Sequence, residues 1–175
     1  MWYLPTNIPF SIPNHMYPWL TDAGSLVLRL KREGALAPRI LSWHQYWGCP
    51  LEDERIALGS KPRKYALIRE VLIGDQNKPY VFGRTIFPKT ILTGPEKQLA
   101  HLGHKTLGSV LFKNPLLQRS AFEVALIKTD SRWYRHIEKR CLLDQQDLWA
   151  RRSAFSIGEK RMLVSEVFLP GLFLL

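Results

Sequence analysis

Two apolar runs near the C-terminus, LWARRSAFSI (148–157) and KRMLVSEVFLP (160–170), are separated only by Gly158 and Glu159. Gly-X between two strand-like runs is the signature of a type II′ hairpin, because the backbone that glycine tolerates at the first turn position matches the twist of the paired strands. So short a connection pairs the runs antiparallel. The arrangement occurs again earlier in the chain: YALIREVLI (65–73), the turn residues GDQNKP (74–79), then YVFGRTIFP (80–88). SAFEVALIK (120–128) reads as a further strand, and 39–43 as another. Strands joined mainly by hairpins, with helical pieces inserted, predict an α+β fold on a single antiparallel β-sheet. There is no βαβ alternation, no GxGxxG, no P-loop and no internal repeat.

The inserted pieces carry their own punctuation. Pro18 followed by WLTD predicts a short helical turn, and Asp22 or Ser25 can cap a second helix, SLVLRLKRE, that stops at Gly34. Leu26 and Leu30 fall on one stripe of it. Residues 50–63 read as a loop with a short helix. In TGPEKQLAHLG (93–103), Thr93 is a candidate cap, Pro95 sits in the first turn and Gly103 ends the segment. TLGSVLF (106–112) predicts a further short helix, and the polar stretch 129–147 is helical in part.

At 175 residues and 46% hydrophobic, the chain fits one domain, 1–175, with a real core. The net charge of +10 suits simple solubility, nucleic acid, an anionic membrane surface, or an anionic small molecule. No run of five like charges occurs, and no basic helix is interleaved with aromatics, which argues against a dedicated nucleic-acid binder. The first residues lack a basic n-region and are broken by prolines, unlike a secretory signal. The apolar tail VFLPGLFLL is interrupted by Pro170 and Gly171 and is far short of a membrane span. Cys49 and Cys141 lie far apart without a CxxC pair, which suggests reduced thiols in a cytoplasmic protein. His101 and His104 form the one close histidine pair, but Gly103 between them disfavours a helical metal site, so no metal is expected. His15, His44 and His136 read as isolated loop or core histidines.

Glu166 raises the chemical question. It shares a strand face with Met162, Val164 and Phe168, while the opposite face carries Leu163, Ser165, Val167 and Leu169. Neither face looks wet, and an unpaired buried carboxylate is costly. Arg69, on a face with Leu67 and Val71, poses the same problem with opposite sign, and its neighbour Glu70 faces the other way with Ile68 and Leu72. Arg69 and Glu166 could form a structural ion pair, or Arg69 could pair with Glu123. Alternatively both could point into one enclosed space and hold a polar ligand, arginine gripping a carboxylate and the glutamate accepting from a hydroxyl. Arg151 and Arg152 face opposite ways on a strand, so one solvated and one paired is the expectation.

The order WL…GSL (19–26), ALIREVLI (66–73), VFGRTIFP (81–88), LTGPEKQLAHLG (92–103), TLGSVLF (106–112), LWARRSAF (148–155) and LVSEVFLP (163–170) resembles the chorismate lyase family. The resemblance implies an antiparallel sheet whose helical flaps close over a buried ligand cavity. It implies cofactor-independent cleavage of chorismate to 4-hydroxybenzoate and pyruvate, the first committed step of ubiquinone biosynthesis, in a cytoplasmic monomer. By the same resemblance, Arg69 binds the ring carboxylate, Glu166 binds the ring hydroxyl, and Leu26 and Leu107 are flap contacts. The chain departs from the family pattern at Leu26, where methionine is usual, and at Thr106, where a proline precedes the flap leucine. A planar product sealed under two flaps predicts slow release and product inhibition. The alternative reading is a non-catalytic aromatic-acid effector or sensor domain of the same fold. Such domains usually stand behind a winged helix-turn-helix, and the roughly sixty residues before the first clear strands contain no recognisable DNA-reading module.

Overall fold

A computed structural model describes residues 1–175. The helices are α1 (Tyr17–Thr21), α2 (Leu26–Arg32), α3 (Glu52–Leu58), α4 (Gly108–Leu111) and α5 (Arg132–Glu138). The strands are β1 (Arg39–Gly48), β2 (Ala66–Asp75), β3 (Lys78–Pro88), β4 (Leu117–Arg119), β5 (Glu123–Ile127), β6 (Leu148–Ile157) and β7 (Lys160–Phe168). All seven strands form one antiparallel sheet in the order β1-β2-β3-β7-β6-β4, with β5 also paired to β6. The α+β fold on one sheet is as the hairpins predict.

Both hairpins close where the turn residues demand. Gly158 alone takes a positive φ, 59°, at the β6–β7 turn, in keeping with type II′. At the β2–β3 turn, Gln76 and Asn77 both lie in the left-handed region. Gly74 is required there, since a Cβ would stand 1.9 Å from the Lys78 carbonyl oxygen. Ser25 caps α2, its Oγ accepting from the Leu28 amide at 3.5 Å.

The structure corrects several local expectations. β1 runs to Gly48, well past the anticipated end at Trp43. Pairing with β2 along its length fixes an edge strand that its own mixed pattern does not mark. Gly94–His101 is a 3-10 helix, and the Thr93 hydroxyl donates back to the Thr90 carbonyl oxygen at 3.0 Å rather than capping it. The strand expected over 120–128 is shorter, and the separate short strand β4 precedes it. No helix is long and apolar enough to cross a membrane.

The two faces of the sheet differ in what covers them. One is closed by α3 and α5: Leu51, just before α3, and Trp133, Tyr134 and Ile137 of α5 pack on Leu72, Phe82, Ala150 and Val167. The other carries two separate apolar clusters. At one end α1 and α2 bring Met16, Trp19, Leu20 and Leu30 onto Val81 and Phe168. At the other, the Gly94–His101 segment and α4 bring Leu99, Leu102 and Leu111 onto Phe87, Phe155 and Met162. The rows of residues between these clusters stay uncovered by core side chains, and that gap is where the cavity lies.

Candidate active site

The gap encloses a cavity of about 430 Å³, within the range of small-molecule sites. Its floor is the middle of the sheet. Its roof is the first turn of α2, including Leu26, and the segment around α4, including Leu107. Only four charged residues line it: Arg69, Arg119, Arg151 and Glu166. Three guanidiniums against one carboxylate leave the chamber electropositive.

Register fixes where these groups stand. Across the sheet, Arg69 pairs with Thr85, which pairs with Val164, which pairs with Ser153. The next row toward α1 holds Val71, Gly83, Glu166 and Arg151. Arg69 and Glu166 therefore lie two strands and one row apart, roughly 12 Å between Cα atoms from ordinary sheet spacings. Side chains of their lengths bracket a single six-membered ring. Gly83, between Val71 and Glu166, has no side chain and keeps the floor open beneath that ring.

Arg69 is only 2% exposed. Its Nη2 donates to the carbonyl oxygens of Gly103 at 3.0 Å and Lys105 at 2.9 Å, both neutral acceptors on the flap before α4. Its Nε is buried without a partner. Burial alone lowers its pKa from 12.5 to about 10. Glu166 does not meet it. Glu166 accepts from Arg151 Nε at 2.5 Å through Oε2, and Arg151 Nη1 also donates to the Trp19 and Asp22 carbonyls at 2.8 and 2.7 Å. Of the sequence alternatives, the Arg69–Glu166 ion pair is excluded. So is Arg69–Glu123, because Glu123 pairs with Arg152 at 2.8 Å.

The expectation that one of Arg151 and Arg152 is solvated is also overturned. Both are buried and paired, Arg151 with Glu166 inside the cavity and Arg152 with Glu123 and Asp53 on the other face. The reason is that each side of β6 is covered. Arg84, a conceivable second anion contact, points away from the cavity. It donates to Glu54 at 2.7 Å and pairs with Glu70, which in turn meets His136 and Arg140. His136, read as an isolated core or loop histidine, belongs to that network. Burial raises the Glu70 pKa, but His136, Arg84 and Arg140 outweigh it and bring the carboxyl to about 2.

Leu26, Arg69, Leu107 and Glu166 thus all line one chamber. Arg119 and Arg151 line it too, and sequence reasoning did not place them there. The signal for Arg151 was present in the hairpin: a two-residue turn at Gly158 and Glu159 sets Arg151 directly opposite Glu166. Arg119 carried no such signal, because its short strand is not marked by any alternation.

The family described as chorismate lyase matches residues 1–174 of the chain. A protein named probable chorismate pyruvate-lyase from Nitrosomonas europaea is 35% identical over 164 residues, covering 94% of this chain and 92% of that one. Another of the same name from Aromatoleum aromaticum is 36% identical over 165 residues, covering 91% and 86%. Among solved structures, the C-terminal domain of PhnF superposes with a TM-score of 0.58 at 12% identity, covering 81% of this chain and 87% of that domain. The C-terminal domain of the histidine utilization repressor from Pseudomonas syringae gives 0.54 at 8% identity, covering 76% and 90%. These two likenesses concern the fold alone.

Proposed function

For a chain that belongs to the chorismate lyase family, and from that premise, we propose that this cavity cleaves chorismate to 4-hydroxybenzoate and pyruvate, supplying ubiquinone biosynthesis from the cytoplasm. The observation that carries the reading is Arg69: a buried guanidinium, lining a ring-sized chamber, whose hydrogen bonds go only to neutral carbonyl oxygens. Even lowered to about 10, its pKa leaves Arg69 charged at neutral pH. A desolvated cation without a counter-ion is a site awaiting an anion, and its planar fork suits a carboxylate.

Arg69 grips the ring carboxylate. Glu166, steadied by Arg151 through one oxygen, accepts the ring hydroxyl with the other. The bond between the ring carbon and the enolpyruvyl oxygen breaks with its electron pair leaving on that oxygen, and the proton on the hydroxyl-bearing carbon passes to the terminal carbon of the departing enolpyruvyl group. The C–H electron pair left behind completes the aromatic ring, and the arm is released as pyruvate. Aromatisation supplies a steep driving force, so orientation and exclusion of water by the flaps do most of the work. Glu166 acts by positioning. The chain's positive charge draws in the dianionic substrate, an attraction that salt weakens. In this reading the chain acts as a monomer.

The test is direct. The protein incubated with chorismate alone should yield 4-hydroxybenzoate, followed by its absorbance, and pyruvate in equal amounts. Binding of 4-hydroxybenzoate with no turnover would replace the enzyme reading with that of an aromatic-acid sensor.

A further inference from the structure

This inference rests on the chorismate reading and extends it. Chorismate carries two carboxylates, and Arg69 accounts for the one on the ring. The second, on the enolpyruvyl arm, needs its own cation. Arg151 is already engaged with Glu166. Arg119 is not engaged with any carboxylate. Its Nε donates to Ser153 Oγ at 2.9 Å and its Nη1 to the Ala23 carbonyl at 3.1 Å. The guanidinium lies 4.0 Å from the Phe122 ring centroid and 4.9 Å from that of Phe155. Burial lowers its pKa to about 10, with Glu166 opposing the shift and Arg151 adding to it. It is thus a second desolvated cation in the same chamber.

Its position suits the missing carboxylate. Ser153, which anchors it, stands in the same transverse row as Arg69 but three strands away, roughly 14 Å between backbones. Arg119 therefore faces Arg69 across the cavity, and Glu166 lies on a strand adjacent to Ser153's, one row along. In chorismate the hydroxyl and the enolpyruvyl ether occupy neighbouring ring carbons, on the far side of the ring from its carboxylate. The group that receives the enolpyruvyl carboxylate must then lie beside the hydroxyl's partner and opposite the ring carboxylate's partner. Arg119 satisfies both conditions.

We propose that Arg119 binds the enolpyruvyl carboxylate and so distinguishes the dianionic substrate from the monoanionic aromatic product. The product lacks the arm and makes no contact with Arg119. Arg69, in contrast, serves both molecules.

Steady-state kinetics with chorismate and calorimetric titration with 4-hydroxybenzoate, on wild type, Arg119→Met and Arg69→Met, test this. Methionine keeps the apolar stack between Phe122 and Phe155. Arg119→Met should lower kcat/KM by roughly 10- to 100-fold, the worth of a charge-assisted contact. It should leave the 4-hydroxybenzoate Kd within about threefold, which also shows the cavity intact. Arg69→Met should lose both. An unchanged kcat/KM for Arg119→Met, or equal losses for substrate and product, overturns the assignment while leaving the chorismate reading standing. A wild type that makes no 4-hydroxybenzoate removes the reading itself. Should the methionine variant not fold, Arg119→Lys carries the same test, with a smaller rise in KM and an unaltered product Kd.

Discussion

Arg69 and Arg84 are both buried arginines, on adjacent strands and opposite faces of the sheet, and the same substitution should affect them very differently. Arg69 lowered to about 10 from 12.5 means that burial disfavours its charged form by about 3 kcal/mol. Arg69→Met relieves that cost and gives up two hydrogen bonds from a charged donor to carbonyl oxygens, together worth about 3–6 kcal/mol. The two effects partly cancel to a net loss of about 0–3 kcal/mol, so the ligand-free variant should melt no more than about 12 °C below wild type, given about 2–4 °C per kcal/mol for a chain of this size. Arg84→Met instead strands Glu54, 0% exposed, and leaves the equally buried Glu70 with only His136 and Arg140. Breaking a buried pair costs about 3–5 kcal/mol, which lowers Tm by roughly 6–20 °C. Thermal denaturation with and without 4-hydroxybenzoate reads both effects: Arg69→Met should lose the ligand-induced rise, whereas Arg84→Met should keep it from a lower baseline. Equal destabilisation by the two substitutions, with ligand response retained in both, would show Arg69 to be a structural clamp on the flap and refute the reasoning.

Glu166→Gln should keep product binding and lose about tenfold in rate, well short of the 10²–10⁴ expected for a proton-transferring group; a larger loss measured with chorismate would make Glu166 an acid or base. Glu70, held near 2, contributes stability that is complete above its unfolded value of about 4.5 and lost as pH falls toward 2. Denaturant midpoints of Glu70→Gln should therefore lie below wild type at pH 7 and converge with it in that acid window. Cys141 is half-buried, with its thiol pushed up to about 11 by burial, whereas Cys49 is exposed. Iodoacetamide at pH 8 should then add to Cys49 alone, as read by peptide mass spectrometry. Release from beneath the flaps that carry Leu26 and Leu107 should limit turnover, giving a pre-steady-state burst of 4-hydroxybenzoate and inhibition by it; a linear onset would place the slow step in the chemistry.

The hairpins were legible because continuous apolar runs bounded by turn residues specify them locally. β6 matches the expected 148–157 at both ends, and α2 follows its serine cap and glycine stop. Arg69 and Glu166 stood out because a charge in an apolar strand conflicts with its own surroundings. What the pattern could not convey was which charges neutralise one another, since that depends on neighbours across the sheet. Arg151 was recoverable from the hairpin register, and Arg119 was not. Its strand is three residues long, and its place in the cavity is set by Ser153 on β6 and the Ala23 carbonyl, far away in sequence. β1 was under-read for a similar reason: its length comes from pairing with β2 rather than from its own half-exposed residues.

The central claim is that the uncompensated charge of Arg69 exists to meet the carboxylate of a flat ring. Calorimetric titration of wild type and Arg69→Met with 4-hydroxybenzoate and with its methyl ester tests it most directly. Wild type should prefer the acid over the ester by roughly 100-fold, the scale of a desolvated charged pair, and the variant should bind both weakly and alike. Equal affinity of wild type for acid and ester, or an undiminished preference for the acid in Arg69→Met, would contradict the account.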